Sequence, residues 1–236
     1  MIRWRLIEKV WCNWPSRPDA LFEFIGGSYL ATSPHLSYKT LFDGLSNNNI
    51  AIHAWSYIPG FDHQAQANSA WINLRHCRKK LEDRIGNIPR TTRIGHSLGV
   101  KLHLLAPDSG RNCNGLISLS FNNFAAYKSI PILKDIAPKL GIKPEFLPSP
   151  NETIDLIYQR YHQPKNLIIS FKSDNLDESS SLLKILQKRR IDDSRILILE
   201  GDHLSPTGIS MYKRINKSIN RVNELKGLID AICNWK

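Results

Sequence analysis

The chain has 236 residues, 42% of them hydrophobic, 22% charged and 9% aromatic. That suits one large domain able to bury a core without disulfides or metal, and it excludes collagen-like, low-complexity and disordered classes. Lys and Arg number 32 against 21 Asp and Glu, a net charge of +11, which favours adsorption to nucleic acid or anionic lipid by charge alone.

The amino terminus, Met1 to Lys9, carries charge where a signal peptide needs its apolar stretch. No apolar run approaches the roughly 18–20 residues of a membrane span, so a soluble, unsecreted protein of the cytoplasm is expected. Short apolar runs read as strands at 20–25, 50–55, 115–121, 166–171 and 195–199, with a further candidate at 91–94. Helices are expected near 34–46, 63–84, 98–106, 178–189 and 212–233. This alternation is the pattern of an α/β protein with a parallel sheet. The stretch 124–164 breaks the rhythm with six prolines, so it reads as an excursion with short helical pieces near 130–140 and 151–161. With no internal repeat and no linker, residues 1–236 read as a single domain.

Cys12, Cys77, Cys113 and Cys233 are far apart, with no C-x-x-C and no zinc spacing, so free thiols are expected and no metal. The densest basic clusters are Arg75–Lys80, Lys188–Arg190, and Lys213 and Arg214 with Lys217 and Arg221. All lie in helix-like stretches, where a solvated face explains them. No nucleic-acid-binding pattern accompanies them, so no nucleic-acid partner is expected, while contact with a membrane surface stays open.

The sharpest motif is Gly95-His96-Ser97-Leu98-Gly99, a G-x-S-x-G between candidate strand and candidate helix. Such a turn holds a serine hydroxyl above the sheet, at a helix amino terminus whose N–H groups can bind an oxyanion. A serine needs a base and an orienting acid, and on this scaffold the chain order is Ser, Asp or Glu, then His. His203 follows the strand 195–199 directly. The acid should follow strand 166–171, which favours Asp174; Asp177 is the runner-up, with a helix N-cap as its plainer role. For the oxyanion, the expected donors are the N–H groups of Leu98 and of Gly27 in the turn Gly26-Gly27, with Ser28 as fallback. The glycines lack G-x-G-x-x-G and a Walker lysine, and no cofactor is expected. His53, His63 and His103 have no metal spacing and read as structural. His63 could line a pocket, although Asp62 as an N-cap explains its surroundings.

With these residues in place the chain resembles the α/β-hydrolase superfamily. Within it, the chain is similar to an uncharacterised family of α/β-hydrolase-like proteins of cyanobacteria and plant plastids. The resemblance is carried by Phe24–Ser28, Gly60–Ala65, Gly95–Gly99, Phe146–Thr153 and Gly201–Pro206. It implies a mostly parallel sheet flanked by helices, with 124–164 as a short cap, and the plastid stroma as an alternative to the cytoplasm. Three departures stand out. Strand Arg90–Ile94 is polar for a central position, so a short or partly exposed strand is expected. Ile25-Gly26 replaces the usual His-Gly. The amino-terminal strands are squeezed into about twenty residues, so six or seven strands are expected.

The resulting expectation is a serine hydrolase or acyl-transfer enzyme acting on a small acyl ester or thioester. Ser97 would be the nucleophile, His203 the base and Asp174 its orienting acid. The alternative is a catalytically inactive hydrolase-fold binding or assembly protein with a basic, membrane-facing surface. Substrate and oligomeric state are not legible.

Overall fold

The computed structural model describes residues 3–126, 145–208 and 218–235. The strands are β1 (Arg5–Ile7), β2 (Val10–Asn13), β3 (Ala20–Ile25), β4 (Ile50–Trp55), β5 (Thr91–His96), β6 (Gly115–Leu119), β7 (Lys165–Phe171) and β8 (Asp193–Leu199). They form one sheet in the order β1-β2-β4-β3-β5-β6-β7-β8. The β1–β2 and β2–β4 pairs are antiparallel, and the remaining neighbours are parallel. The described sheet therefore has eight strands, correcting the six or seven expected. The extra pair is a hairpin of three- and four-residue strands, too short to show a period, and its turn residue Glu8 takes φ +54° without a glycine signal.

The helices are α1 (Pro34–Ser37), α2 (Lys39–Ser46), α3 (His63–Ile85), α4 (Leu98–Leu104), α5 (Pro150–Arg160), α6 (Ser179–Leu186) and α7 (Ser218–Asn234). Alternation along the strands divides the core between the two faces of the sheet. Phe22 and Phe24 of β3 pack with Phe42 of α2 and Leu228 and Ile232 of α7. On the other face, Ile25 joins Ala67, Ala70 and Leu74 of α3 and Leu102 of α4. Helix α5 belongs to this scaffold: its Ile157 packs with Val100, Ile168 and Leu182. Two prolines near its start do not disturb it. Pro150 opens the helix, where its missing N–H is not needed, and Ser149 and Glu152 form a reciprocal capping box. Part of 124–164 is thus a crossover helix between β6 and β7, while the helix expected near 130–140 lies outside the described residues, as do 212–217 of the last.

Strand β5 is buried along its whole length, which corrects the expectation of a short or partly exposed strand. Its charge is neutralised from within. Arg93 makes a two-pronged bond to Asp108, at 2.8 and 2.7 Å, and its Nε lies 3.7 Å from Glu23. Glu23 is held in turn by Arg78 of α3, at 3.0 and 2.7 Å. Arg189 likewise bonds Asp192 and the Tyr161 carbonyl. These arginines are internal ties, so the positive charge does not all reach the surface. Among the described residues no helix is long and apolar enough to cross a membrane.

Burial would push the Asp108 carboxyl up, but the Arg93 guanidinium and the N–H groups of Gly110 and Asn112 bring it down to about 2. A carboxyl lowered on folding stabilises the protein above its ordinary titration range, and that stabilisation fades as pH falls through about 2. Asp108→Asn is expected to cost about 3 kcal/mol at neutral pH by stranding a buried guanidinium. Urea unfolding should show this loss, and the gap to wild type should close in strong acid.

Candidate active site

Ser97 sits between β5 and α4 with φ +54° and ψ −121°, a backbone region that serine seldom enters. Its N–H donates to the Leu119 carbonyl of β6 at 2.9 Å. The flanking glycines are required by contact. A Cβ on Gly95 would lie 2.5 Å from the backbone of Val100, and one on Gly99 only 2.0 Å from the Ile25 carbonyl oxygen. The bend is thereby pressed against the end of β3, and Ser97 stands at the mouth of α4.

Two loops at the same edge of the sheet meet it. His203, on the loop after β8, places Nε2 3.1 Å from Ser97 Oγ and Nδ1 2.8 Å from Asp174 Oδ2. Asp174, on the loop after β7, has its side chain fully buried. Burial alone would raise its carboxyl, but the His203 hydrogen bond and charge, with the Ser120 hydroxyl and the Leu176 N–H, hold it below the ordinary value. Asp177 is engaged elsewhere, accepting from the hydroxyls of Ser170 and Ser179 and from the Ser179 N–H. The structure therefore brings Ser97, His203 and Asp174 into one hydrogen-bonded chain and leaves Asp177 at the start of α6.

The turn after β3 differs from expectation. The Gly27 N–H donates to Tyr38 Oη at 2.9 Å, so it is not free to bind a substrate oxygen. The next amide, that of Ser28, has no hydrogen bond among the described residues, and Ser28 lines the same cavity as Ser97 and Leu98. Leu98 N–H is the first of α4 and has no intrahelical partner.

Tyr38 and His96 complete this turn. His96 Nε2 lies 2.9 Å from the His203 carbonyl oxygen, which can only accept, so Nε2 carries the proton. Nδ1 is then the acceptor for the Tyr38 hydroxyl at 2.7 Å, whose oxygen in turn accepts from Gly27. The ring has to be neutral for this pattern. Burial and the neighbouring His203 push the His96 pKa down to about 3. Neither residue carries a spacing signal: His96 fills the variable position of the elbow, and Tyr38 falls in an ordinary amphipathic stretch. His53 and His103 are structural, accepting from Trp14 Nε1 and bonding the Ile94 carbonyl. Asp62 does cap α3, through the Ala65 N–H at 2.8 Å, and His63 also lines the cavity.

The cavity above Ser97 has a volume of about 390 Å³, within the range of small-molecule sites. The sheet order and elbow are those of the α/β-hydrolase fold, and solved structures of that fold match over 95–100% of the chain. A siderophore hydrolase, EstB, of Aspergillus fumigatus matches at TM-score 0.67 and 12% identity, covering 100% of this chain and 96% of its own. Esterase B of Lactobacillus rhamnosis matches at 0.63 and 15%, covering 95% and 80%. A dienelactone hydrolase of Anabaena variabilis matches at 0.61 and 13%, covering 100% and 95%. Among curated proteins none matches. The chain belongs to the family described as "Protein of unknown function (DUF1350)", whose model spans residues 3–234.

Removing the Tyr38 hydroxyl strands the Gly27 N–H and His96 Nδ1 together. Tyr38→Phe should keep the ring packing on Phe24 and Phe42, yet lose about 1–3 kcal/mol of stability. Equilibrium urea unfolding checks the figure; an unchanged midpoint would show that the hydroxyl contributes nothing.

Proposed function

We propose that the protein is a serine hydrolase or acyl-transfer enzyme acting on an ester or thioester. The observation that carries this reading is the unbroken chain from Asp174 through His203 to Ser97, ending on a serine strained into the mouth of a helix. The names of its structural neighbours, esterase, siderophore hydrolase and dienelactone hydrolase, support hydrolysis in general.

In this mechanism His203 Nε2 takes the hydroxyl proton as Ser97 Oγ attacks the acyl carbon, and later returns it to the leaving alcohol or thiol. Asp174 is an anion at neutral pH; it keeps the Nδ1 proton of His203 facing it and stabilises the imidazolium that forms. The Leu98 and Ser28 amides would bind the oxyanion, Ser28 taking the place first expected of Gly27. A second turnover step with water as nucleophile, activated by the same histidine, frees the acid. The same chemistry with an alcohol or thiol in place of water gives acyl transfer. Residues 1–236 form one catalytic domain in this reading, with Asn122, Phe124 and Phe146 at the margins of the insertion forming part of the cavity wall.

Intact mass after fluorophosphonate treatment tests the proposal. Wild type should gain one adduct and Ser97→Ala none. Asp174→Asn should lower kcat on a reactive ester by about four orders of magnitude, since the histidine would lose its productive tautomer. A folded wild type that stays unmodified would sink the catalytic reading.

A further inference from the structure

The wall of the cavity one helical turn beyond Ser97 is polar and under-partnered. Lys101, on α4, is 1% exposed, and the hydrogen bond its ammonium makes is to the Pro148 carbonyl at 3.1 Å. An ammonium has three donors. Among the described residues His63, 2% exposed, has neither ring nitrogen paired, and Asn123 leaves its side-chain oxygen unpaired. The three share the cavity with Ser97. The Phe146 ring borders both, with its centroid 4.2 Å from that of His63 and 5.8 Å from Lys101 Nζ.

We propose that this wall receives a carboxylate on the acyl part of the substrate, so that the ester or thioester is a half-ester of a short dicarboxylic acid. The inference rests on the serine hydrolase reading and names its substrate class. A carboxylate offers one oxygen to the Lys101 ammonium and the other to a His63 N–H, two donors that are otherwise costly to bury. A single ammonium matches a monoanion better than a phosphate. Two carboxylates lie near enough to favour the charged lysine, yet among the described residues neither forms an ion pair with it: Glu145 Oε1 accepts from the Ala126 and Phe146 N–H groups, and Glu178 Oε2 from that of Asn123. Their pull does not offset the desolvation of Lys101, whose pKa burial lowers to about 8. Burial and the Lys101 charge likewise keep His63 neutral, at about 3. Among the described residues the ammonium therefore has carboxylates nearby but none in direct contact.

The test compares the 4-nitrophenyl half-esters of glutaric and adipic acid with 4-nitrophenyl pentanoate and hexanoate, and measures glutarate binding by calorimetry. Wild type should favour the half-esters in kcat/KM by at least tenfold. In Lys101→Met that ratio should fall to near one, and His63→Phe should lower it as well. A wild-type ratio near one, or a ratio that Lys101→Met leaves intact, overturns the assignment. If wild type hydrolyses none of the four, the hydrolase reading fails, and glutarate binding still decides the subsite. Binding to wild type and Ser97→Ala that is lost in Lys101→Met upholds it, and no binding to folded wild type overturns it.

Discussion

The backbone of Ser97 is the constraint on which the rest of the site depends. A non-glycine residue at φ +54° costs of the order of 1–3 kcal/mol, and it persists only where the surroundings leave no relaxed alternative. Here the Ser97 N–H is tied to β6, and α4 turns back so tightly that a Cβ on Gly95 would strike Val100 and one on Gly99 the end of β3. The cavity-facing groups of α4 inherit their positions from that bend. The Leu98 amide points outward because α4 begins there, and Lys101 lies one turn along the same helix. The turn after β3 abuts the serine because β3 is the strand that α4 is pressed against.

A bend of this kind needs a rigid strand beneath it, and β5 carries an arginine where an aliphatic side chain would be expected. The strand can stay buried because Arg93 is matched by Asp108 on one side and Glu23 on the other, with Arg78 completing the set. Replacing one member without the other would leave a desolvated charge, so the polar core is stable only as a group. This is why β5 looks unsuitable when read alone. Its partners lie 15, 70 and 15 positions away along the chain (Arg93 to Asp108, Glu23 and Arg78), and no local pattern links them.

Legibility followed the range of the interaction. Strands β3 and β4 and helix α3 are long and regular, and their limits in the structure lie within a residue of those read from periodicity. The β1–β2 hairpin leaves no signal in the sequence because three or four residues cannot display alternation. The prolines around α5 suggested irregular structure, yet Pro150 sits where a helix tolerates it and Ser149 supplies the cap. At the site, Ser97, Asp174 and His203 could be placed together from chain order and strand ends, which are consequences of topology. The Gly27 amide could not be judged that way, since its availability depends on a tyrosine arriving from α1–α2.

That tyrosine joins the two halves of the site. From the Gly27 amide, hydrogen bonds run through Tyr38 Oη to His96 Nδ1, and from His96 Nε2 to the backbone carbonyl of His203. The direction of each is determined by a group that can only donate at one end and one that can only accept at the other. A protonated His96 would have no acceptor to offer Tyr38, and burial opposes that protonation. The loop bearing the proposed base and the turn beside the proposed oxyanion site are thus held in register by a neutral histidine. The carrier of that register is the residue immediately before Ser97, so the elbow positions the serine through its backbone and the histidine loop through its side chain.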